Sequence, residues 1–577
     1  MRSLNDFDSS QKFDTTVVIS KRFLVVVCIL LAGICASRAA QLAWLADDSF
    51  ISFRYAKNLV DGLGLVYNAG EYVEGYTNLL WTLMMAASMA AGAAPEAASQ
   101  VLGILCWLAL AGALLAWSRH RASHAGLAFL PLAAALVLIV EDFQVWATGG
   151  LETSLFALLS TSGLLLVAAG RRPRRHLVAA AVLLGLAMMT RPDGAIFAAI
   201  AVFAAWSNDE GTTRSDRLAD VGCIVVPLVL IGTALVVFKL SYYGDLFPTA
   251  FYSRSALDPY YDQGLFYVYL FFKHNWAVLA LVAFAAWSIT RRGSTRIDRS
   301  RAIFGSAFIG FTLYVIHSGG DFMYARRLIP AVPFLLLVVE DILVSDPRRR
   351  IAAAIFFAGL LTAALPLKIY PDHADRINGI ANEREFYPEE YFKTWRQRGA
   401  IASASLQGAP LRAMFQGGMC VFGYYSALPY LAEMTGLTQY SLAKQPLAER
   451  GLVGHEKTAD DAWLTAHEIH MIFLRSTPPP ASDGRRRVDL VRFGCNLSAK
   501  IWIYSDAIMD RLRNDENVDF VPIEDVLTQA ERKIAEAPYL EARDILNFLE
   551  RYYFRTAGSE RQAVAERLRS LVASRRE

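Results

Sequence analysis

The sequence predicts a polytopic α-helical membrane protein of about eleven spans, followed by a C-terminal domain of α/β or α+β type. Three observations carry that prediction. Of 577 residues, 54% are hydrophobic and 19% charged, and the mean hydropathy is +0.31; a soluble globular chain carries about 25% charge. The apolar residues gather into runs of spanning length, such as RFLVVVCILLAGICASRAAQLAWL (22–45), VLGILCWLALAGALLAW (101–117) and IAAAIFFAGLLTAALPLKIY (351–370). A run of about 20 such residues crosses the hydrocarbon as a helix. From 372 to 577 no run is long enough to cross, and charged residues become frequent.

Taken in order, residues 1–21 form a polar tail ending in Lys21, with Arg22 opening the first run. That run starts late, is long and lacks a convincing cleavage site, so it reads as an anchor rather than a signal peptide. Basic residues of short loops collect on the cytoplasmic side, which sets the N-terminus inside. If 78–94 crossed the membrane, RRPRRH (171–176) and RRGSTRIDRSR (291–301) would both fall outside. We therefore place 78–94 in the outer interface, without a crossing. The spans are then approximately 22–45, 100–117, 125–140, 151–170, 177–190, 193–206, 220–240, 276–290, 303–317, 328–345 and 351–370. Every strongly basic loop now lies inside. The membrane domain covers 22–371, with a first outer loop at about 46–98, and the domain 372–577 is extracytoplasmic.

With this topology the outer loops hold the unusual residues. They read DDSFISFRYAKNL and EGYTN in the first, EDFQVWATGGLET in the second, TRPDG in the third, YYGDLFPTAFYSRS in the fourth and HSGGDFMYARRLIP in the fifth. Taken singly, each residue has an ordinary explanation: an interfacial Arg snorkels to headgroups and interfacial Tyr forms a belt. Asp47 and Asp48 alone could be a stop signal, since carboxylates are expensive inside the bilayer. Together, carboxylates, cations and Gly-rich backbone at membrane depth imply a polar cavity. Such a cavity suits a substrate with a lipid tail and a phosphate head. Arginine binds phosphate bidentately, so Arg191, Arg326 and Arg327, with Arg54 and Arg254, are candidate phosphate-binding residues. Asp48 or Asp47 is the candidate base for an acceptor hydroxyl. Glu74, Tyr76, Asn78, Glu152, Asp193, Tyr243, His317 and Asp321 are the candidate substrate-binding residues.

An apolar first helix ending in an acidic pair resembles the membrane glycosyltransferases of the GT-C class. DDSFISFRYAKNLVDGLGLVYNAGEYVEGYTN, TGGLETSL, TRPDG, YYGDLFPTA and GGDFMYARRLIP, in that order over about 22–370, resemble the arabinofuranosyltransferase B family of terminal β-1,2-arabinofuranosyltransferases. The resemblance implies a GT-C-like catalytic domain in a bacterial inner membrane. It also implies a decaprenyl-phosphate arabinose donor, a cell-envelope polysaccharide or glycolipid acceptor, and an inverting transfer on the outer face. By the same resemblance the catalytic carboxylate is one of the acidic pair, and comparison with the wider class favours Asp48. The cavity chemistry and the resemblance thus point to a polyprenyl-phosphate-sugar-dependent glycosyltransferase. The rival reading is a multispan lipid or glycan flippase, which would show inverted repeats and ionisable residues at mid-membrane.

The sequence requires no cofactor, although a divalent cation near Asp48 and Asp321 is compatible with it. HEIH (467–470) is one residue short of the H-E-x-x-H zinc spacing, so no metal ligands are assigned. A P-loop and a dinucleotide fingerprint are both missing, which argues against a nucleotide-sugar donor, and nothing suggests a nucleic-acid partner. Cys28, Cys35, Cys106 and Cys223 fall in predicted spans and act as small apolar residues. Cys420 and Cys495 are left in an oxidising compartment as a candidate disulfide.

Overall fold

The computed structural model describes residues 21–124, 129–170, 173–207, 213–291, 298–344, 376–478, 487–555 and 558–575. The first half is helical: α1 (Lys21–Gln41), α2 (Ser49–Val60), α3 (Leu79–Ala90), α4 (Pro95–His124), α5 (Leu132–Ile139), α6 (Glu141–Thr148), α7 (Thr153–Ala168) and α8 (Arg175–Thr190). It continues with a 3₁₀ turn (Pro192–Gly194), α9 (Ala195–Trp206), α10 (Arg214–Tyr243), α11 (Thr249–Ser253), α12 (Tyr261–His274), α13 (Trp276–Arg291), α14 (Arg299–His317) and α15 (Val332–Val344).

The helices α1, α4 and α10 are each long and apolar enough to cross a membrane. The pairs α6–α7 and α12–α13 reach the same standard as bent units, turning through 118° and 97°. This is a multi-pass membrane protein by length, composition and exposure. Phe23, Val26, Ile29, Leu30 and Ile34 on α1 and Val226, Val229, Leu230, Val237 and Leu240 on α10 all point away from the protein. A helix apolar on its outer face has lipid as its natural solvent. Of the other expected spans, several hold shorter helices, and the run at 351–370 lies outside the described residues. At 12 residues α3 rises about 18 Å, short of the roughly 30 Å hydrocarbon core.

Local chemistry explains the longest of these helices. The hydroxyl of Thr213 accepts from the Asp216 N–H, and the Asp216 carboxylate accepts from the Thr213 N–H, a capping box that starts α10. Gly244 ends it with φ +69°.

The tail forms a five-stranded mixed sheet in the order β2–β1–β3–β5–β4, from β1 (Arg412–Phe415), β2 (Tyr430–Glu433), β3 (Met471–Leu474), β4 (Leu490–Phe493) and β5 (Leu497–Ile501). The strand β1 runs parallel to β2 and β3, and β5 pairs antiparallel with β3 and β4. Their burial patterns are almost continuous rather than alternating, as expected for strands covered on both faces. Three amphipathic helices (Ile523–Glu536, Tyr539–Tyr552 and Ser559–Ala573) close the chain.

This tail shares one hydrophobic core with the helical region, from Cys35 to Val572. Phe50 of α2 lies against Phe392, Tyr424 and Tyr425 of the tail at 5.7–6.1 Å between ring centroids. The compositional break near 371 is therefore not a break in packing. The tail caps one end of the helical region, bonding to Glu96 at the start of α4 through Tyr425. At the other end Arg121 bridges Asp298 at 2.9 Å and also Asp341, which pairs in turn with Arg301.

Candidate active site

All five of the loops expected on one face meet at the end that the tail covers. The turn before α2 is fixed first. Trp44 donates through Nε1 to the Val145 carbonyl at 2.8 Å, and the Ala46 N–H donates to the Gly149 carbonyl at 2.9 Å. The TGGLET motif thus holds the backbone immediately before the acidic pair. Gly150 has φ +79°, and a Cβ there would stand 2.8 Å from Leu45, so only glycine fits the α6–α7 bend.

That turn sends the two aspartates to different neighbours. Asp47 is completely buried. It accepts hydrogen bonds from the Cys420 and Val421 N–H groups at 2.9 and 3.1 Å and from the Tyr391 hydroxyl at 3.3 Å. Burial pushes its carboxyl up to about 6, with the tail N–H groups pulling down and Asp48 pushing further up. Asp48 is half-buried and sits at the N-cap of α2, yet its side chain makes no cap hydrogen bond. An aspartate there ordinarily bonds to the N2 or N3 amide. This one instead feels Arg326, Asp321, Arg254 and Glu152, and burial pushes it up to about 6 against the pull of Arg326 and Arg254.

The surrounding charges come from the four further loops. Arg326 Nη2 pairs with Glu152 Oε1 at 2.8 Å. The other Glu152 oxygen accepts from Asn78 Nδ2 at 2.9 Å, and Asn78 Oδ1 accepts from Ser52 and Thr82 at 2.9 and 3.0 Å. Arg326 Nε is buried without a partner. Arg254 reaches Asp321 Oδ1 at 3.3 Å. Burial would raise the Asp321 carboxyl, but Arg254, Arg326, Arg327 and Arg191 bring it below its ordinary value. Asp321 follows Gly320, whose φ of +69° leaves room for Tyr267, only 2.5 Å from where a Cβ would stand. Arg191 and Asp193 form a closed fork at 3.1 and 2.5 Å, and Arg327 lies 3.6 Å from the same carboxylate. Arg327 also donates to Tyr314, Ser318 and the Gly320 carbonyl.

Other candidates hold the fold together. Arg54 is buried and donates to the carbonyls of Tyr67, Gly423 and Leu428 at 2.5–2.8 Å and to Asn68 Oδ1 at 3.2 Å. Its donors are occupied in tying the first outer loop to the tail, which corrects its assignment as a phosphate ligand. Glu74 pairs with Lys239 at 2.8 Å, and Tyr76 and Tyr243 share a 2.8 Å hydroxyl contact. His317 is turned to Tyr261, 3.3 Å away. The expected disulfide does not form: Cys420 and Cys495 are both free, the first buried and the second exposed. Cys420 opens the short helix (Cys420–Ser426) on which Asp47 is seated, whereas Cys495 sits in the β4–β5 turn with φ +57°.

Asp47, Asp48 and Cys420 bring one ligand atom each within 4.8 Å of one another. Both Asp47 oxygens are already hydrogen-bonded, and burial holds the Cys420 thiol well above its ordinary value. A neutral thiol is a poor ligand for a hard cation, so this trio does not fit one.

Sequence reasoning missed Glu383, in the short helix Glu383–Phe386. It is 2% exposed, and among the described residues neither carboxyl oxygen has a hydrogen-bond partner. Burial holds it well above the ordinary range, with Asp48 and Asp321 adding to the rise. An unpaired buried acceptor costs about 1–3 kcal/mol. Its surroundings in the sequence, ANEREFYPEEY, carry several carboxylates, and nothing local separates this one from the rest.

No family model matches the chain. A terminal β-(1→2)-arabinofuranosyltransferase of Mycobacterium tuberculosis is 27% identical over 403 residues, 60% of this chain and 63% of that one. Its namesake in Corynebacterium glutamicum is 28% identical over 356 residues, 54% of this chain and 50% of that one. The matched segments thus span half to just under two-thirds of those relatives. Among solved structures, the oligosaccharyltransferase of Archaeoglobus fulgidus aligns with TM-score 0.48 and 12% identity, over 79% of this chain and 70% of that one. ArnT of Cupriavidus metallidurans bound to undecaprenyl phosphate aligns with TM-score 0.39 and 16% identity, over 76% and 78%. In sequence, this membrane protein resembles terminal β-(1→2)-arabinofuranosyltransferases across more than half of its length.

Proposed function

We propose that the chain is a membrane glycosyltransferase that moves a sugar, arabinofuranose by its resemblance to the two relatives, from a polyprenyl-phosphate donor to a cell-envelope glycan or glycolipid. One observation carries the reading: Asp48 stands half-buried at a helix start, without a cap hydrogen bond and within the electrostatic reach of Arg326 and Arg254. Its partner Asp47 is fully engaged with the tail.

The step balances without a further reactant. The acceptor hydroxyl oxygen forms a bond to the anomeric carbon, its proton passes to Asp48, and the carbon–oxygen bond to phosphate breaks with the electron pair leaving on phosphate. A carboxyl near 6 is ionised at neutral pH and still basic enough to take a proton late in the step. In this reading Arg254 and Arg326, which act on Asp48, take the phosphate as its charge develops. Arg191 and Arg327, locked on Asp193, shape the wall behind them. In this reading the covered end faces outward, as the positive-inside pattern requires, and the tail is extracytoplasmic. Product with the opposite anomeric configuration to the donor is expected for this single displacement.

The step as written uses no divalent cation, so full activity in excess chelator is the expected result. The decisive experiment is transfer from synthetic polyprenyl-phosphate arabinose to an arabinoside acceptor by purified wild type and Asp48→Asn. Transfer by wild type and its loss in a folded Asp48→Asn supports the reading; undiminished transfer by Asp48→Asn refutes it. If wild type transfers no sugar from any polyprenyl phosphate but moves the lipid across vesicles, the flippase reading replaces it.

A further inference from the structure

We propose that Glu383 is the acceptor-binding residue of this site, receiving a sugar's neighbouring hydroxyl groups through its two free carboxyl oxygens. The inference rests on the glycosyl-transfer reading and names the part of the site that reading leaves open.

The position of Glu383 is built, not accidental. The residues on either side of it are anchored to three separate parts of the helical region. Asn378 exchanges hydrogen bonds with Gln263 of α12 at 2.8 and 3.0 Å. Ala381 pairs on both sides with the loop that carries Asp321 and Arg326: its N–H donates to the Phe322 carbonyl at 2.8 Å, and its carbonyl accepts from Tyr324 at 2.9 Å. On the far side of Glu383, Arg384 Nε donates to the Leu42 carbonyl at 3.1 Å, just before the acidic pair. Glu383 is thereby held between the Asp48 turn and the Asp321 loop, and both carboxylates act on it electrostatically.

A carboxyl group buried this fully is almost always hydrogen-bonded, and this one is bonded to nothing within the described residues. Its environment selects the missing partner. Asp47, Asp48 and Asp321 all act on it, with Arg376 the cation among its strongest electrostatic neighbours, so a phosphate would be repelled. A hydroxyl is neutral and both donates and accepts, so a pair of adjacent hydroxyls matches a carboxyl that burial keeps protonated: one donates to its carbonyl oxygen and the other accepts its O–H. The donor's lipid phosphate belongs with Arg254 and Arg326. Glu383 is supplied by the tail, which covers the site from the side away from the helices, where a glycan would arrive.

The test uses the full chain in nanodiscs, with wild type, Glu383→Gln and Glu383→Ala, a synthetic polyprenyl-phosphate arabinose donor and a short arabinofuranoside acceptor. Acceptor and donor KM are measured together with calorimetric binding of the acceptor alone. Losing one or two hydrogen bonds to a buried carboxyl predicts a rise of about ten-fold or more in acceptor KM and Kd for Glu383→Ala, and a smaller rise for Glu383→Gln, which keeps one acceptor and one donor. Donor KM is expected to stay within about two-fold of wild type, and thermal unfolding of the same samples shows that the variants are folded. Unchanged acceptor KM and Kd would overturn the proposal. So would equal rises in acceptor and donor KM, or restoration of both variants by excess Mn²⁺, which would make Glu383 a cation ligand. Wild type that binds the arabinoside in a Glu383-dependent way but transfers nothing would sink the transfer reading and leave the acceptor site standing. Wild type that does not bind the arabinoside would overturn the site itself.

Discussion

The Asp48 carboxyl gives the site a pH signature that can be calculated before it is measured. Burial raises it from 3.8 to about 6, even though Arg326 and Arg254 pull the other way. A general base acts in its ionised form, so activity rises with pH through that value and is lost below it. At pH 7 about 0.9 of such a group is ionised, and at pH 5 about 0.1, so kcat/KM falls roughly ten-fold between them. A carboxyl left at 3.8 would lose less than about a tenth over the same interval. Arg326→Gln removes a cation that stabilises the ionised form, so the acid limb should move to higher pH while the maximum rate falls. Asp47 is raised to about 6 as well, so Asp47→Asn is the control: it should keep the limb, because Asp47 is fully engaged with the tail. The assay is steady-state transfer in detergent or nanodiscs from pH 5 to 8. A flat wild-type profile down to pH 5, or an unchanged limb in the residual activity of Asp48→Asn, would refute the assignment.

Other outcomes follow from the same geometry. Asp48→Asn should lower kcat by about 10²- to 10⁴-fold and, by removing a buried charge held unfavourably, raise unfolding stability at pH 7 by on the order of 1–3 kcal/mol; equal or lower stability in thermal unfolding would contradict the electrostatic account. The sign is fixed, because a carboxyl raised on folding binds more protons in the native state, so its contribution weakens as pH rises from about 4 to 6. Asp47→Ala should instead destabilise by about 1.5–3 kcal/mol through the lost tail contacts, seen as faster proteolysis of the tail. Arg54→Ala should have the same effect and leave donor KM unchanged in the folded fraction; a selective rise in donor KM would return Arg54 to the phosphate site. In thiol labelling, Cys495 should react in the folded protein and Cys420 only after unfolding, with no mass shift on reduction.

What could be read along the chain was what depends on local pattern. Run length and composition identify the membrane helices, because the bilayer responds to contiguous apolar residues and not to tertiary context. The same holds for the gathering of Asp48, Glu152, Asp321 and Arg326, since each lies in a polar loop at the end of an apolar run.

Which member of each set faces the cavity depends on hydrogen bonds between residues hundreds of positions apart. Asp47 and Asp48 are adjacent in sequence and chemically identical, and only the tail amides of Cys420 and Val421 separate their environments. Arg54 looked like a free cation until three distant carbonyls occupied it. The two tail cysteines matched a disulfide by count, yet one is buried against Asp47 and the other lies in an exposed turn. Glu383 was indistinguishable from its acidic neighbours. The sequence by itself determined a membrane protein with its charged chemistry collected at one end, because hydrophobic partitioning acts on each segment alone. Only the tertiary structure decided which of the two aspartates is tied to the tail and that Glu383 is brought near Asp48 and Asp321, because burial and pairing depend on what the rest of the chain brings alongside.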